Sequence, residues 1–411
     1  MMPSLPAILF IVGFGMLLGS FNALRPRYSP AGLAAVSFFA GWLTGELAAH
    51  VIAIDLVVVV WLVWRGALAH WTGELGLALD FAGVFMLLVG CSRSLRSGAI
   101  VTTALTKLPA YDAPRDGDLR ALFLPFPVRD RRNERLRNIV YHSDDTVTLR
   151  LDVFRRRGDD YGPSATGAKK PVLLFVHGGG WMIGNKEYQG LPLLNRFAAR
   201  GWVGFSINYR LSPRATFPDH IIDVKRAIAW VRAHAAEYGG DPDCIVLSGN
   251  SAGGHLTSLA ALTPNKREWQ PGFEDADTSV TACLSFYGVY DFTDRHGHWP
   301  NPALNRLLER YIMKVKRADM PERYAEASPI HWVGPNAPPF LVVHGTADSI
   351  VPVAEARRFT AALEAAGHAR YAYIELPGAQ HAFEIFPSPR TFAVLRGVER
   401  FAQQVLNDRK R

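Results

Sequence analysis

Two rhythms of apolar and polar residues divide this chain. Up to Cys91 the apolar residues come in long tracts: Leu5 to Leu24, closed by Arg25-Pro26-Arg27, then Ala31 to Trp64, broken only by Glu46, His50 and Asp55, then Leu75 to Cys91, which carries Asp80. Tracts near 20 apolar residues match the hydrocarbon thickness of a bilayer and predict membrane-spanning helices. The first lacks a basic segment before it and a small-residue cleavage site after it, so it does not read as a removable signal. The middle tract is too long for one ordinary span and short for two. Residues 1–92 therefore read as three spans, or four if Gly45-Glu46 turns the chain. With three, Arg25/Arg27 and Arg93/Arg96 share a face, and the positive-inside rule puts the rest of the chain in the cytoplasm; with four the rule is ambiguous. Glu46, His50, Asp55 and Asp80 are costly in hydrocarbon and read as interhelical hydrogen-bonding groups, or as a pathway or headgroup site.

The second rhythm begins after a polar connector, residues 93–134, rich in Pro and Arg and holding Phe123-Leu124-Pro125-Phe126-Pro127, whose aromatic rings suit a membrane interface. From 135 to 411, short apolar runs alternate with amphipathic stretches. Strands are predicted at Leu136 to His142, Val147 to Phe154, Pro171 to Val176, Val203 to Ile207, Cys244 to Leu247, Thr281 to Phe286, Pro339 to Val343 and Tyr371 to Leu376. Helices are predicted at Leu191 to Arg200, Pro218 to Tyr238, Gly254 to Leu262 and Thr391 to Leu406. This alternation implies an α/β fold whose mainly parallel sheet is covered on both faces. Tyr287 to Glu326, with Trp299, Tyr311 and Met313, reads as a lid or acyl pocket, or as a plain surface insertion.

Composition narrows the picture. The formal charge is +8 over 411 residues, yet no Lys/Arg-rich recognition helix or aromatic-interleaved basic stripe appears. The excess, gathered from Arg115 to Arg157 beside the membrane region, reads as a lipid-facing patch and not as a nucleic-acid surface. Cys91, Cys244 and Cys283 form neither a disulfide framework nor a metal spacing.

Chemistry enters at Gly249-Asn250-Ser251-Ala252-Gly253, between the Cys244 strand and the Gly254 helix. In a strand–G-x-S-x-G–helix turn the serine is held in a strained conformation that lifts its hydroxyl, and the helix aims N–H groups at any anion formed there. His177-Gly178-Gly179-Gly180-Trp181 follows another core strand, where consecutive glycines bare backbone N–H groups toward a cavity, as oxyanion stabilisation requires. His381 and Asp348 lie in loops at the carboxyl ends of the last two strands, the first a candidate base for Ser251 and the second the group that orients it. The order Ser, Asp, His is that of the α/β-hydrolase arrangement.

From Leu136 onward the chain resembles the α/β-hydrolase superfamily, in particular its hormone-sensitive-lipase-like esterases, through HGGGW at 177–181, NYRLSP at 208–213, the 217–242 run, GNSAGG at 249–254, HGTADSIVP at 344–352 and GAQHAF at 378–383. The resemblance implies Ser251 as nucleophile, Asp348 as acid and His381 as base, with an oxyanion hole from the N–H groups of Gly178, Gly179 and Ala252, His177 supporting the glycine loop, and no metal or organic cofactor. Two positions depart from it: Asn250 stands where relatives usually carry Asp, and Ser212-Pro213-Arg214 where many read Ala-Pro-Glu. Both shift charge positively and favour acidic or amphiphilic substrates. The expected function is a membrane-anchored serine carboxylester hydrolase acting on a small-molecule or lipid ester, in contact with membrane lipids. Its rivals are an amidase of the same fold, resembling arylformamidases, and a non-catalytic receptor or lipid-binding protein on this scaffold.

Overall fold

The computed structural model describes residues 3–111, 130–159 and 169–409. The Phe123 to Pro127 stretch and most of the loop between Gly158 and Lys170 lie outside them.

The apolar tracts are helices: α1 (Leu5–Leu24), α2 (Ala31–Glu46), α3 (Ala48–Trp64) and α4 (Trp71–Leu95). The first is long and apolar enough to cross a membrane, as is the run Trp71–Ala104 that begins with α4. The chain does turn at the suspected place, since α2 and α3 meet at a bend of 84°. Their 16 and 17 residues each fall short of the ~20 that a full crossing takes. The helices thus offer two spans, or three if the bent pair counts as one. α1 and α4 meet through small residues: a Cβ on Gly76 would lie 2.6 Å from backbone atoms of Phe10, and one on Gly83 2.8 Å from the Leu17 nitrogen. Ser37 and Gly41 of α2 pack on Asn22 near the end of α1, with Asn22 Nδ2 donating to Ser37 O at 2.8 Å. Asp55 and Asp80 lie beside each other between α3 and α4. Glu46 does not pair within the helices; it reaches the C-terminal body, as described below.

The connector expected from residue 93 begins differently. α5 (Ser97–Ala104) is helical, and Val101 and Leu105 are buried in the sheet's core. Apolar residues at Ile100, Val101, Ala104 and Leu105 supply the stripe that docks it; the surrounding Ser, Thr and Arg hide it in a composition reading.

Eight strands follow, β1 (Asn133–Ser143), β2 (Thr148–Arg156), β3 (Lys170–Val176), β4 (Val203–Ile207), β5 (Gly240–Asn250), β6 (Ala282–Phe286), β7 (Phe340–Gly345) and β8 (Tyr371–Leu376). They form one sheet in the order β1-β2-β4-β3-β5-β6-β7-β8. The β1–β2 and β2–β4 pairs are antiparallel and the others parallel. Alternation sorts β3 between two layers: Val172, Leu174 and Val176 face one, Leu173 and Phe175 the other. The first layer is covered by α7 (Asp219–His234), α8 (Ala252–Leu262) and, beyond β6, α11 (Ala354–Ala365). The second is covered by α5, α6 (Leu191–Ala199) and α12 (Pro389–Arg409). α11 was not apparent from pattern alone, because its apolar stripe is narrow and starts directly behind a loop.

The segment after β6 is not unstructured. It holds α9 (Ala303–Leu307), a π-type turn over Leu308–Ile312 and α10 (Pro321–Glu326). Leu308, Ile312, Met313 and Tyr324 are buried in the first layer's core.

Candidate active site

Parallel strands end along one rim, and the loops leaving β3, β5, β7 and β8 converge there. Ser251 takes φ 54° and ψ −121° between β5 and α8, a conformation that costs a non-glycine residue of order 1–3 kcal/mol and persists only where its surroundings impose it. They do so here. A Cβ at Gly253 would sit 2.1 Å from Val176 O, and one at Gly249 2.5 Å from Gly253 O. The Ser251 N–H donates to Phe286 O at 2.9 Å, which ties the turn to the end of β6.

His381 Nε2 lies 2.9 Å from Ser251 Oγ, and its Nδ1 lies 2.6 Å from Asp348 Oδ2. The structure therefore brings the three expected side chains into one relay. Asp348 Oδ1 accepts from the N–H groups of Ile350 and Val351 at 2.9 and 2.8 Å. Burial alone would raise the Asp348 carboxyl; the charge of a protonated His381 and hydrogen bonds from His344 and His381 outweigh it and hold the group below the usual carboxylate range. An aspartate kept ionised in this way fixes Nδ1 as the protonated nitrogen and leaves Nε2 free to receive a proton from the serine.

Supporting residues come from far along the chain. Gln380 Oε1 accepts from Ser349 N at 2.8 Å and His381 N at 2.9 Å, joining the acid and base loops. Tyr287 packs on the His381 ring with centroids 4.5 Å apart, and its hydroxyl donates to Glu384 Oε2. Asn250 Nδ2 donates to Glu384 Oε1 at 2.9 Å and to the Tyr287 hydroxyl at 3.2 Å. This accounts for Asn250. An aspartate there would face a second buried carboxylate, whereas the amide donates to it. The carboxyl absent from position 250 is supplied by Glu384, and burial raises its pKa. Asn250 thus moves an acidic group within the site without clearing acid from it. Arg214, the other departure, is exposed.

One expected oxyanion donor has an internal partner in the structure. The Gly178 N–H donates to Gln189 Oε1 at 2.8 Å and is already engaged. What position 178 requires is closeness: a Cβ there would lie 2.9 Å from Ser251 Cβ. The N–H of Gly179 has no internal acceptor among the described residues. That of Ala252 opens α8, where helix geometry leaves it unpaired and gives it a favourable dipole. His177, its ring stacked on Tyr209, braces this loop; Nδ1 lies 2.8 Å from Gly178 O, and burial pushes its pKa down to about 4. Trp181 Nε1 donates to His255 Nδ1 at 3.2 Å, and His255 Nε2 meets Ala327 O at 2.8 Å. Burial lowers His255 to about 3, so it serves as a neutral strut.

Gln189, Gln380 and Glu384 were missed in the sequence. Glu384 alone left a trace, since an unusual asparagine beside the serine asks where the customary carboxylate has gone.

The helical region also meets this rim. Phe38 of α2 approaches His381 edge-on with centroids 6.0 Å apart. Trp42 stacks on Phe38, packs on Phe386, and donates from Nε1 to Ala382 O at 3.0 Å. Tyr28 donates to Thr346 O at 3.4 Å. Glu46 forms a buried ion pair with Arg390, and Ser388 Oγ donates to it at 3.4 Å.

Known proteins resemble this chain in sequence and fold. It matches the BD-FAE family over residues 159–363. LipM of Mycobacterium tuberculosis, described as a probable carboxylic ester hydrolase, is 50% identical over 255 residues, covering 62% of this chain and 58% of LipM. The esterase LipC of the same organism is 42% identical over 286 residues, covering 69% of this chain and 68% of LipC. Among solved structures, Thermogutta terrifontis esterase 2 phosphonylated by sarin aligns with TM-score 0.55 and 30% identity, over 67% of this chain and 95% of that one. A truncated carbohydrate esterase from gut microbiota aligns with TM-score 0.57 at 24% identity, over 68% of this chain and 99% of that one, a likeness of fold. With an open α/β sheet, a serine held at a strand-to-helix turn, and relatives of this closeness, the chain belongs to the α/β-hydrolase esterases.

Proposed function

We propose that the protein is a membrane-anchored serine carboxylester hydrolase in which Ser251 is the nucleophile, His381 the base and Asp348 its orienting acid. The observation that carries the reading is the relay of 2.9 Å and 2.6 Å contacts through the His381 ring. Ser251 Oγ attacks the ester carbonyl while His381 Nε2 takes its proton. The carbonyl oxygen, now an oxyanion, accepts from the N–H groups of Gly179 and Ala252. Collapse expels the alcohol, which receives the proton from Nε2 and leaves an acyl group on Ser251. Water, deprotonated by the same nitrogen, attacks the acyl carbon, and the acid departs as Ser251 regains its proton. The naming of LipM and LipC as ester hydrolases supports an ester over an amide, and the phosphonylated state of the Thermogutta enzyme supports the use of organophosphorus probes.

The substrate class we infer is a hydrophobic or amphiphilic ester. Anchoring is supported by α1 and the Trp71–Ala104 run, each long and apolar enough to cross a membrane. At Leu47 the chain bends by 84°, and α2 meets the body through Phe38 and Trp42. Arg25/Arg27 and Arg93/Arg96 then flank the same end as the catalytic body, which favours the cytoplasmic side. The test is labelling with a fluorophosphonate and turnover of p-nitrophenyl esters by the purified full-length protein. Wild type is expected to label and turn over, and Ser251→Ala to do neither. Labelling of Ser251→Ala at the wild-type rate would overturn the assignment.

A further inference from the structure

The α2 helix presents three faces. Ser37 and Gly41 are buried against α1. Phe38 and Trp42, one position on, face the loop that carries His381. Phe39 and Leu43, one further, are 58% and 46% exposed. The apolar surface of α2 therefore continues without a polar break from its open side to the edge of the catalytic imidazole. On that imidazole, Phe38 and Tyr287 both pack against the ring.

The body's own rim matches this surface. Ile183 donates its N–H to Gly179 O and has its side chain 70% exposed; Ile350, two residues from Asp348, is 40% exposed. Tyr188, also exposed, precedes the Gln189 that holds Gly178. Exposed apolar side chains thus stand on the loops that build the site, beside a helix whose outer face is equally apolar. Such patches are rare on surfaces that meet only water.

We propose that Phe38 and Trp42 form one wall of the substrate site, and that the hydrophobic part of a membrane-borne ester reaches Ser251 laterally along α2. The inference rests on the ester-hydrolase reading above. It makes the N-terminal region a determinant of specificity as well as an anchor, because the ring beside the base is supplied by a helix of the apolar N-terminal tracts. An acyl chain lying on Phe38 gains apolar contact in proportion to its length, whereas an acetyl group is too short to touch it.

The test compares p-nitrophenyl dodecanoate, carried in phosphatidylcholine vesicles, with p-nitrophenyl acetate in water, using the full-length protein reconstituted in those vesicles. For Phe38→Ala/Trp42→Ala the dodecanoate-to-acetate ratio of kcat/KM is expected to fall about 10-fold, mostly through KM, which is the order lost with one side chain's worth of apolar burial. Val36→Ala, on a face 66% exposed to the surroundings, is expected to keep the wild-type ratio. If the double variant no longer labels with fluorophosphonate, the milder Phe38→Leu must still lower the ratio. An unchanged ratio, or an equal loss on both esters, overturns the proposal and reduces α2 to a prop for His381. That result, with wild type active on both esters, leaves the hydrolase reading standing. A wild type that labels but hydrolyses neither ester removes that reading, and the inference with it.

Discussion

The helical region and the sheet body bury opposite kinds of residue. Between α1 and α4 the contacts are made by Gly13, Gly76 and Gly83, while Ile11, Phe14, Phe81 and Phe85 point outward. In the sheet body the large side chains go inward, and Leu173, Leu174, Phe175 and Val176 of β3 are enclosed on both faces. The difference is the one the proposed anchoring would produce, with lipid around the helices and water around the body. Water drives large apolar side chains inward, whereas lipid is as apolar as leucine, and what remains is close backbone approach through small residues. The two regimes meet where Glu46 reaches Arg390 and where Phe38 reaches His381.

This contrast can be broken at several points. The largest effect is expected at the rim of the sheet. Gly253→Val would drive its Cβ into Val176 O, only 2.1 Å away, displacing Ser251 and the Ala252 N–H together; kcat/KM should fall about 1,000-fold, as when an oxyanion donor is lost. Stopped or steady-state hydrolysis of p-nitrophenyl acetate measures it. Next comes the seam. Glu46→Ala leaves Arg390 buried without its partner, for a cost of about 3 kcal/mol, while Glu46→Met/Arg390→Met should recover most of that loss. Thermal unfolding in detergent would distinguish a seam that matters from one that does not, because equal midpoints in all three proteins would show the pair to be idle.

A smaller loss is expected within the helices. Gly76→Ala pushes a Cβ to 2.6 Å from the Phe10 backbone and should cost about 2 kcal/mol in the unfolding of the helical region, as overpacking does, while Gly15→Ala, with open space around it, should cost little. The smallest effect is a pH slope. Burial, aided by Arg210, lowers His220 from 6.5 to about 3, so between those values the unfolded chain binds a proton that the folded one refuses. That contribution destabilises the protein as pH falls through the window. His220→Gln should remove it, changing the slope of unfolding free energy by about 1.4 kcal/mol per pH unit. Denaturant titrations at pH 6.5 and pH 5.5, between which about 1 kcal/mol is expected, give the difference.

Much of the body was legible before folding. Strand-turn-helix around Ser251, the glycine run behind β3, and loops at the ends of β7 and β8 each announce themselves locally, because a strained turn, a bare backbone or a strand end needs particular residues within a few positions. The partners that tune the site were not. Gln189 reaches Gly178 across one loop, Glu384 reaches Asn250 across 134 positions and Glu46 reaches Arg390 across 344, and no local pattern marks such pairs. Gly178 shows the limit well: the glycine run is visible locally, whereas the hydrogen bond from its N–H to Gln189 is set by the fold.

The helical tracts follow the same division. Their length and apolarity, set by the residues alone, are enough to specify helices suited to hydrocarbon, just as alternating apolar runs specify a parallel sheet. That α2 meets the body was decided by the fold, through an 84° bend and contacts with loops that lie more than three hundred residues away. Backbone chemistry and side-chain spacing act over a turn or two of chain, so sequence determines which elements form; which of them touch depends on how whole surfaces complement each other, and only the packed molecule contains that information.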